Sequence, residues 1–151
     1  MNYESITTCD IANGEGLGVV LWVSGCDVQC PGCHNKETWD PSSGKKFDER
    51  AIDLLSNELS RKEINRFTIS GGHPLMPCNR EVVREIIHWV KLNFNVEIWL
   101  YTGYYYGELD DECRYIVNNC DVVVDGPFIK ELADKSLAFR GSSNQNIIRI
   151  K

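Results

Sequence analysis

Three cysteines stand at Cys26-x-x-x-Cys30-x-x-Cys33, close enough for one short loop to present three thiolates to a single inorganic centre. Soft sulfur ligands favour zinc, copper or iron-sulfur clusters. A closed zinc site asks for four donors. A cubane held by three cysteines instead keeps one iron open to a ligand that is not protein. Gly25 and Gly32 relieve backbone crowding around this loop, and Pro31 restricts it. Spacing alone leaves the metal undecided. Zinc completed by His34, Cys9 or Cys78 is one alternative, and three thiols without any metal are another. Their bunching follows no packing period, which argues against an ordinary core role.

The loop needs a scaffold, and the chain has 151 residues to build one, enough for a single domain over 1–151 with a substantial core. Sixteen basic against twenty-two acidic residues give a formal charge of −6, which speaks against a broad nucleic-acid surface. No apolar run approaches the roughly 20 residues needed to cross a bilayer, and the start MNYESITTCD lacks the pattern of a signal peptide. Seven cysteines, an odd number with three in one loop, read as reduced thiols of a cytoplasmic protein rather than a disulfide framework.

The apolar run Val19-Val20-Leu21-Trp22-Val23 predicts a first strand covered on both faces, ending at Ser24-Gly25 directly before Cys26. Ala51, Ile52, Leu55 and Leu59 form a helical stripe from Asp48, a capping residue, to about Ser60. Arg66 to Ser70 predicts a strand that runs into Gly71-Gly72-His73-Pro74. Asn79 is the expected cap of a second helix carrying Val82, Val83, Ile86, Ile87 and Val90. Val96 to Tyr101 predicts a strand ending at Thr102-Gly103, Leu109 to Asn118 a weaker helix, Asp121 to Val124 a strand ending at Asp125-Gly126-Pro127, and Ile147 to Ile150 a last short strand.

Strands alternating with helices predict an α/β fold with a mainly parallel sheet. At this length the expected form is an open, partial (β/α) barrel, since a complete one usually takes ~250 residues. Loops at the strand carboxyl ends then gather around one ligand site. Trp22, Trp89 and Trp99 are expected in the core; Trp39, which follows the cluster loop, either packs in the same way or lines the site or interface. Cys9, Cys78, Cys113 and Cys120 are expected as buried apolar thiols.

The cysteine spacing, directly after a strand, resembles the signature of the radical S-adenosylmethionine enzymes. Asn13-Gly14, Val23-Ser24-Gly25-Cys26, Pro31-Gly32-Cys33, Asn35-Lys36, Ser70-Gly71-Gly72, Thr102-Gly103-Tyr104, Asp125-Gly126 and Arg140-Gly141-Ser142-Ser143-Asn144-Gln145 together resemble, over nearly the whole chain, the activating enzymes of anaerobic class III ribonucleotide reductases. The resemblance implies a radical-SAM-like fold and a [4Fe-4S] cluster on Cys26, Cys30 and Cys33. It implies S-adenosyl-L-methionine at the open iron, cleaved by one electron from an external donor to a 5'-deoxyadenosyl radical. That radical takes a hydrogen from a glycine of the large reductase subunit. It further implies cofactor contacts from Gly71, Gly72 and His73 and from Thr102 and Gly103; Tyr104 either borders the cofactor or packs, and Asp125 either accepts from a ribose hydroxyl or shapes its loop by an Asx-turn.

The chain departs from the family pattern at three places. His73 stands where the family commonly has an acid, Glu15 where it has proline, and Gly18 where arginine is familiar. A carboxylate accepts hydrogen bonds from an ammonium, whereas neutral histidine has one acceptor nitrogen. A short, incomplete barrel has little material for lids, so the partner is expected to close part of the site. Two other functions stay open: a small radical enzyme acting on a metabolite or modified base, and a zinc or iron-sulfur binding module.

Overall fold

The computed structural model describes residues 1–151, with strands β1 (Asn2–Asp10), β2 (Gly18–Val23), β3 (Lys45–Lys46), β4 (Arg66–Gly71), β5 (Glu97–Tyr101), β6 (Val122–Asp125) and β7 (Asn146–Arg149). Helices α1 (Glu49–Leu59), α2 (Pro77–Asn93) and α3 (Asp111–Asn118) connect the central ones. One sheet holds all the strands in the order β3-β1-β2-β4-β5-β6-β7. The pairs β2·β4, β4·β5 and β5·β6 are parallel, each link carrying one helix. At the flanks, β1 pairs antiparallel with β2 and β3, and β7 antiparallel with β6. The sheet does not close on itself, because β3 and β7 are its two edges.

All three helices share one sheet face. Leu55, Ile87 and Ile116, one from each helix, fall in a single buried cluster with Leu21, Phe67 and Leu100 from the strands. Burying each such side chain contributes about 1.5–3 kcal/mol. The opposite face has no helix. There Trp99, Val122 and Val124 pack with Phe139, which belongs to the long segment after β6. Fully buried Arg66 lies beside the amino-terminal loop, donating through Nη2 to the Asp10 carbonyl at 2.8 Å and to its carboxylate at 2.6 Å. A Cβ at Gly18 would sit 2.4 Å from Arg66 Nε, so the guanidinium fills the space a side chain there would need.

Several boundaries differ from expectation. The run ending before Cys26 is the second strand, since β1 precedes it; only Tyr3 of β1 is buried, which leaves little periodicity to read. Asp48 caps α1 as expected, accepting from Arg50 N and Ala51 N, but Ile52 is exposed. Asn79 does not cap α2. Pro77 opens that helix, and the buried Asn79 amide donates to the carbonyls of Ser24 and His73, both at 3.0 Å. Asp110 caps α3 by accepting from Cys113 N at 2.8 Å, so Leu109 lies outside the helix. Trp99 is buried, whereas Trp22 and Trp89 are only half-buried.

Asn79 therefore ties α2 to the strand ends that carry both the cysteine loop and the Gly71-Gly72 loop. Asn79→Ala removes two buried hydrogen bonds and should cost about 2 kcal/mol in a denaturant titration of the metal-free chain.

Candidate cluster and cofactor site

The pairing of β2 with β4 continues past the sheet and builds the first wall of the site. Gly72 N donates to Val23 O at 2.8 Å and His73 N to Gly25 O at 2.7 Å. Gly25 N donates to Thr38 O at 2.6 Å and Cys26 N to Trp39 O at 3.0 Å, which pins the start of the cysteine loop from its other side. These backbones approach so closely that a Cβ on Gly72 would lie 2.4 Å from Gly25 O. Gly25 and Gly71 also hold φ of 95° and 110°, a region that side chains rarely adopt. Within the loop, Cys33 N donates to Cys30 O at 3.1 Å, closing the turn through Pro31 and Gly32.

Cys26, Cys30 and Cys33 border one cavity together with Gly71, Gly72, His73, Thr102 and Gly103. Its remaining wall includes Asn35, Trp39, Tyr101, Phe128 and Gln145. Of these, Asn35 and the segment containing Gln145 belong to motifs of the sequence resemblance, and Trp39 stands out by its place after the cysteine loop; Phe128 carries no signal. No three His, Cys, Asp or Glu side chains converge on one point as ligands of a single ion would. A cubane instead takes one cysteine per iron, and three thiols around a shared cavity suit that donor set. Trp39 Nε1 is a buried donor without a protein partner in the same wall. The residues present thus fit a three-cysteine cluster with a second ligand beside it.

His73 is 1% exposed and both its ring nitrogens are engaged. Nδ1 lies 2.6 Å from Asp27 Oδ1 and Nε2 lies 2.8 Å from Thr102 Oγ1. A carboxylate can only accept, so the network assigns the hydrogen to Nδ1 and makes Nε2 the acceptor of the Thr102 hydroxyl. Thr102 Oγ1 in turn accepts from Tyr104 N at 3.1 Å. Burial pushes the His73 pKa down, and Asp27 only partly offsets this, which favours the neutral ring. For Asp27, burial favours the protonated form, but hydrogen bonds from Tyr104 and His73 outweigh it and hold the carboxyl below its ordinary range. Burial, then the Asp27 hydrogen bond, pushes the Tyr104 phenol up to about 12.

Two expected cofactor residues stand behind the cavity wall. Tyr104 gives its hydroxyl to Asp27 Oδ2 and sets its ring edge-on to His73, with centroids 4.3 Å apart. Asp125 is buried, accepting at one oxygen from Tyr106 N at 2.9 Å and at the other from the Asn146 amides at 3.0 Å. It fastens the loop after β5 to the start of β7. The segment 140–145 is knitted to the loop after β6. Gln145 donates to Gly126 O at 3.0 Å and Asn144 to Pro127 O at 2.7 Å, while buried Ser142 donates to Asn144 Oδ1 at 2.6 Å. Of the outlying thiols, Cys113 and Cys120 are buried as expected, but Cys9 and Cys78 are exposed.

The chain matches a family model described as a 4Fe-4S single cluster domain over residues 12–148. The anaerobic ribonucleoside-triphosphate reductase-activating protein of Haemophilus influenzae is 42% identical over 154 residues, covering 100% of this chain and 99% of that one. Its counterpart in Enterobacteria phage T4 is 40% identical over 150 residues, or 97% and 93% of the two chains. That of Escherichia coli K12 is 38% identical over 154 residues, covering both chains fully.

Gly72→Ala forces a methyl group against Gly25 O. The strain, about 1–3 kcal/mol, should separate the two loops, and iron content after anaerobic reconstitution should fall well below that of the parent. Burial, as the leading cause, pushes the Cys113 and Cys120 thiols up to about 12. Iodoacetamide at pH 7 should therefore modify Cys9 and Cys78 of the folded metal-free chain and leave Cys113 and Cys120 intact, as read by peptide mass spectrometry.

Proposed function

The chain belongs to the family of anaerobic ribonucleoside-triphosphate reductase-activating proteins, and from that premise we propose that it generates a glycyl radical on the large subunit of an anaerobic ribonucleotide reductase. The observation that carries this reading is the single cavity bordered by Cys26, Cys30 and Cys33 on one side and Gly71, Gly72, Thr102 and Gly103 on the other. The bound [4Fe-4S] cluster supplies one-electron, reductive cleavage of S-adenosyl-L-methionine, and with it the radical that is passed to glycine.

The chain's own residues do the holding and the shielding. Cys26, Cys30 and Cys33 take the cluster. Gly71 and Gly72 expose backbone to the methionine end of the cofactor without a side chain in the way. Both His73 nitrogens are already committed, so the cofactor ammonium is left to backbone carbonyls of this loop, and His73 serves by fixing the loop's shape. Thr102 and Gly103 form the neighbouring wall, while Trp39 and Phe128 make it apolar and limit water.

A second cavity shares Asn35 and Tyr101 with the first and lies on the helix-free face. Asn13, His34, Ser70 and Arg140 give it a polar lining suited to the amide groups of an extended peptide. The reductase segment that bears the glycine enters here in our reading. Exposed residues at the rim of the cysteine loop, Gln29, Pro31 and His34, leave the site for the reductase to cover. The open sheet with helices on one face is read as a partial, radical-SAM-like (β/α) barrel, forming one domain over residues 1–151. No helix is long and apolar enough to cross a membrane. Cytoplasmic location and an external one-electron donor complete the proposal.

Anaerobic reconstitution with iron and sulfide, followed by reductant, S-adenosylmethionine and the large reductase subunit, tests it. The expected outcome is a glycyl-radical electron paramagnetic resonance signal on the reductase, lost on changing Cys26, Cys30 or Cys33 to alanine. Cofactor cleavage with turnover of a free metabolite and no radical on the reductase would contradict it.

A further inference from the structure

Asp27 is not a cysteine and does not border the cavity, yet its carboxylate links three loops. It follows the first cluster cysteine directly. One oxygen takes the Nδ1 hydrogen of His73, in the loop after β4, at 2.6 Å. The other takes the hydroxyl of Tyr104, in the loop after β5. Those two loops are joined to each other by the 2.8 Å contact of His73 Nε2 with Thr102 Oγ1 and by the edge-on packing of His73 and Tyr104. The circuit 27–73–102–104 therefore closes on itself. Val28 adds an apolar contact, since a Cβ on Gly103 would meet its methyl group at 2.7 Å.

We propose that Asp27 is a positioning residue that registers the cysteine loop against the two loops bordering the cofactor, so that cluster seat and cofactor seat are set as one unit. The proposal rests on the reading above for the identity of the cofactor, but the circuit itself is a property of the metal-free chain. The Asp27 side chain is 31% exposed, so truncating it opens no hole in the core. Its loss falls instead on buried His73, whose Nδ1 hydrogen is left without an acceptor, and on Tyr104. Both residues must then reorient, and both cofactor loops move with them.

Amide hydrogen exchange on the metal-free chain tests the coupling directly. Asp27→Ala should speed amide exchange at residues 72, 73 and 102–105 by about tenfold, Asp27→Asn by less because one acceptor oxygen remains, and the amides of β2, β4 and β5 should be unaffected. After reconstitution, Asp27→Ala should hold as much iron as the parent and bind S-adenosylmethionine about tenfold more weakly. Unchanged exchange in the two loops would overturn the proposal. So would a uniform increase through the sheet or a parallel loss of iron, either of which marks a merely structural role. Faster loop exchange with undiminished affinity would overturn it too. A parent chain that takes up iron but binds no S-adenosylmethionine would instead refute the cofactor assignment, and the exchange data would still decide whether Asp27 couples the loops.

Discussion

The site depends on how closely two backbones meet where β2 and β4 leave the sheet. Parallel strands bring their carboxyl ends to the same edge, but side chains normally keep the loops beyond them apart. Here the ladder runs on through Gly72 N to Val23 O and His73 N to Gly25 O, and it can do so because positions 71 and 72 carry no Cβ to strike the β2 end and Gly25 takes a φ of 95° that side chains rarely adopt. Cys26 is thereby fixed next to the Gly71-Gly72 loop, and Asn79 locks the arrangement from α2. The same fold places glycines at these strand ends, where they leave bare backbone at the wall of the cysteine cavity.

The division of the sheet into two unlike faces matches the chemistry required of an activating protein. One face is closed by three helices and supplies stability. The other is covered only by the amino-terminal loop and the segment after β6, which meet around Trp99, Phe139 and buried Arg66. That arrangement leaves polar space beside the cysteine cavity where a larger protein can present a peptide. Radical transfer needs the acceptor close to its source and water excluded, and in the proposed reading the partner supplies both by covering the exposed cysteine loop.

Much of this was legible in the sequence, because β2, β5 and β6 are short, mostly apolar runs that stop at a nearby glycine, β4 alternates Phe67 and Ile69 with polar residues before Gly71, and α1 and α2 keep a helical period. The cysteine loop and the Gly71-Gly72 and Thr102-Gly103 loops could be placed at strand ends for the same reason. What escaped were features fixed by long-range partners. Strand β1 is held by backbone pairing rather than by an apolar face. Asn79 looks like a cap, but its amide serves a tertiary role. The Gly18 position makes sense only once Arg66, distant in sequence, fills the space above it. Likewise the histidine at the usual acidic position is explained by Asp27, whose carboxylate reaches it across the cysteine loop. Cys9 and Cys78 gave no local sign of their exposure.

The central claim is that three cysteines hold a cluster with one iron open to the cofactor seated by the neighbouring loops. Mössbauer spectroscopy of the chain reconstituted with 57Fe, before and after addition of S-adenosylmethionine, tests it most directly. The account predicts a cluster in which a single iron site changes its parameters on cofactor addition while the others keep theirs. A spectrum of equivalent sites that does not respond to the cofactor would contradict it.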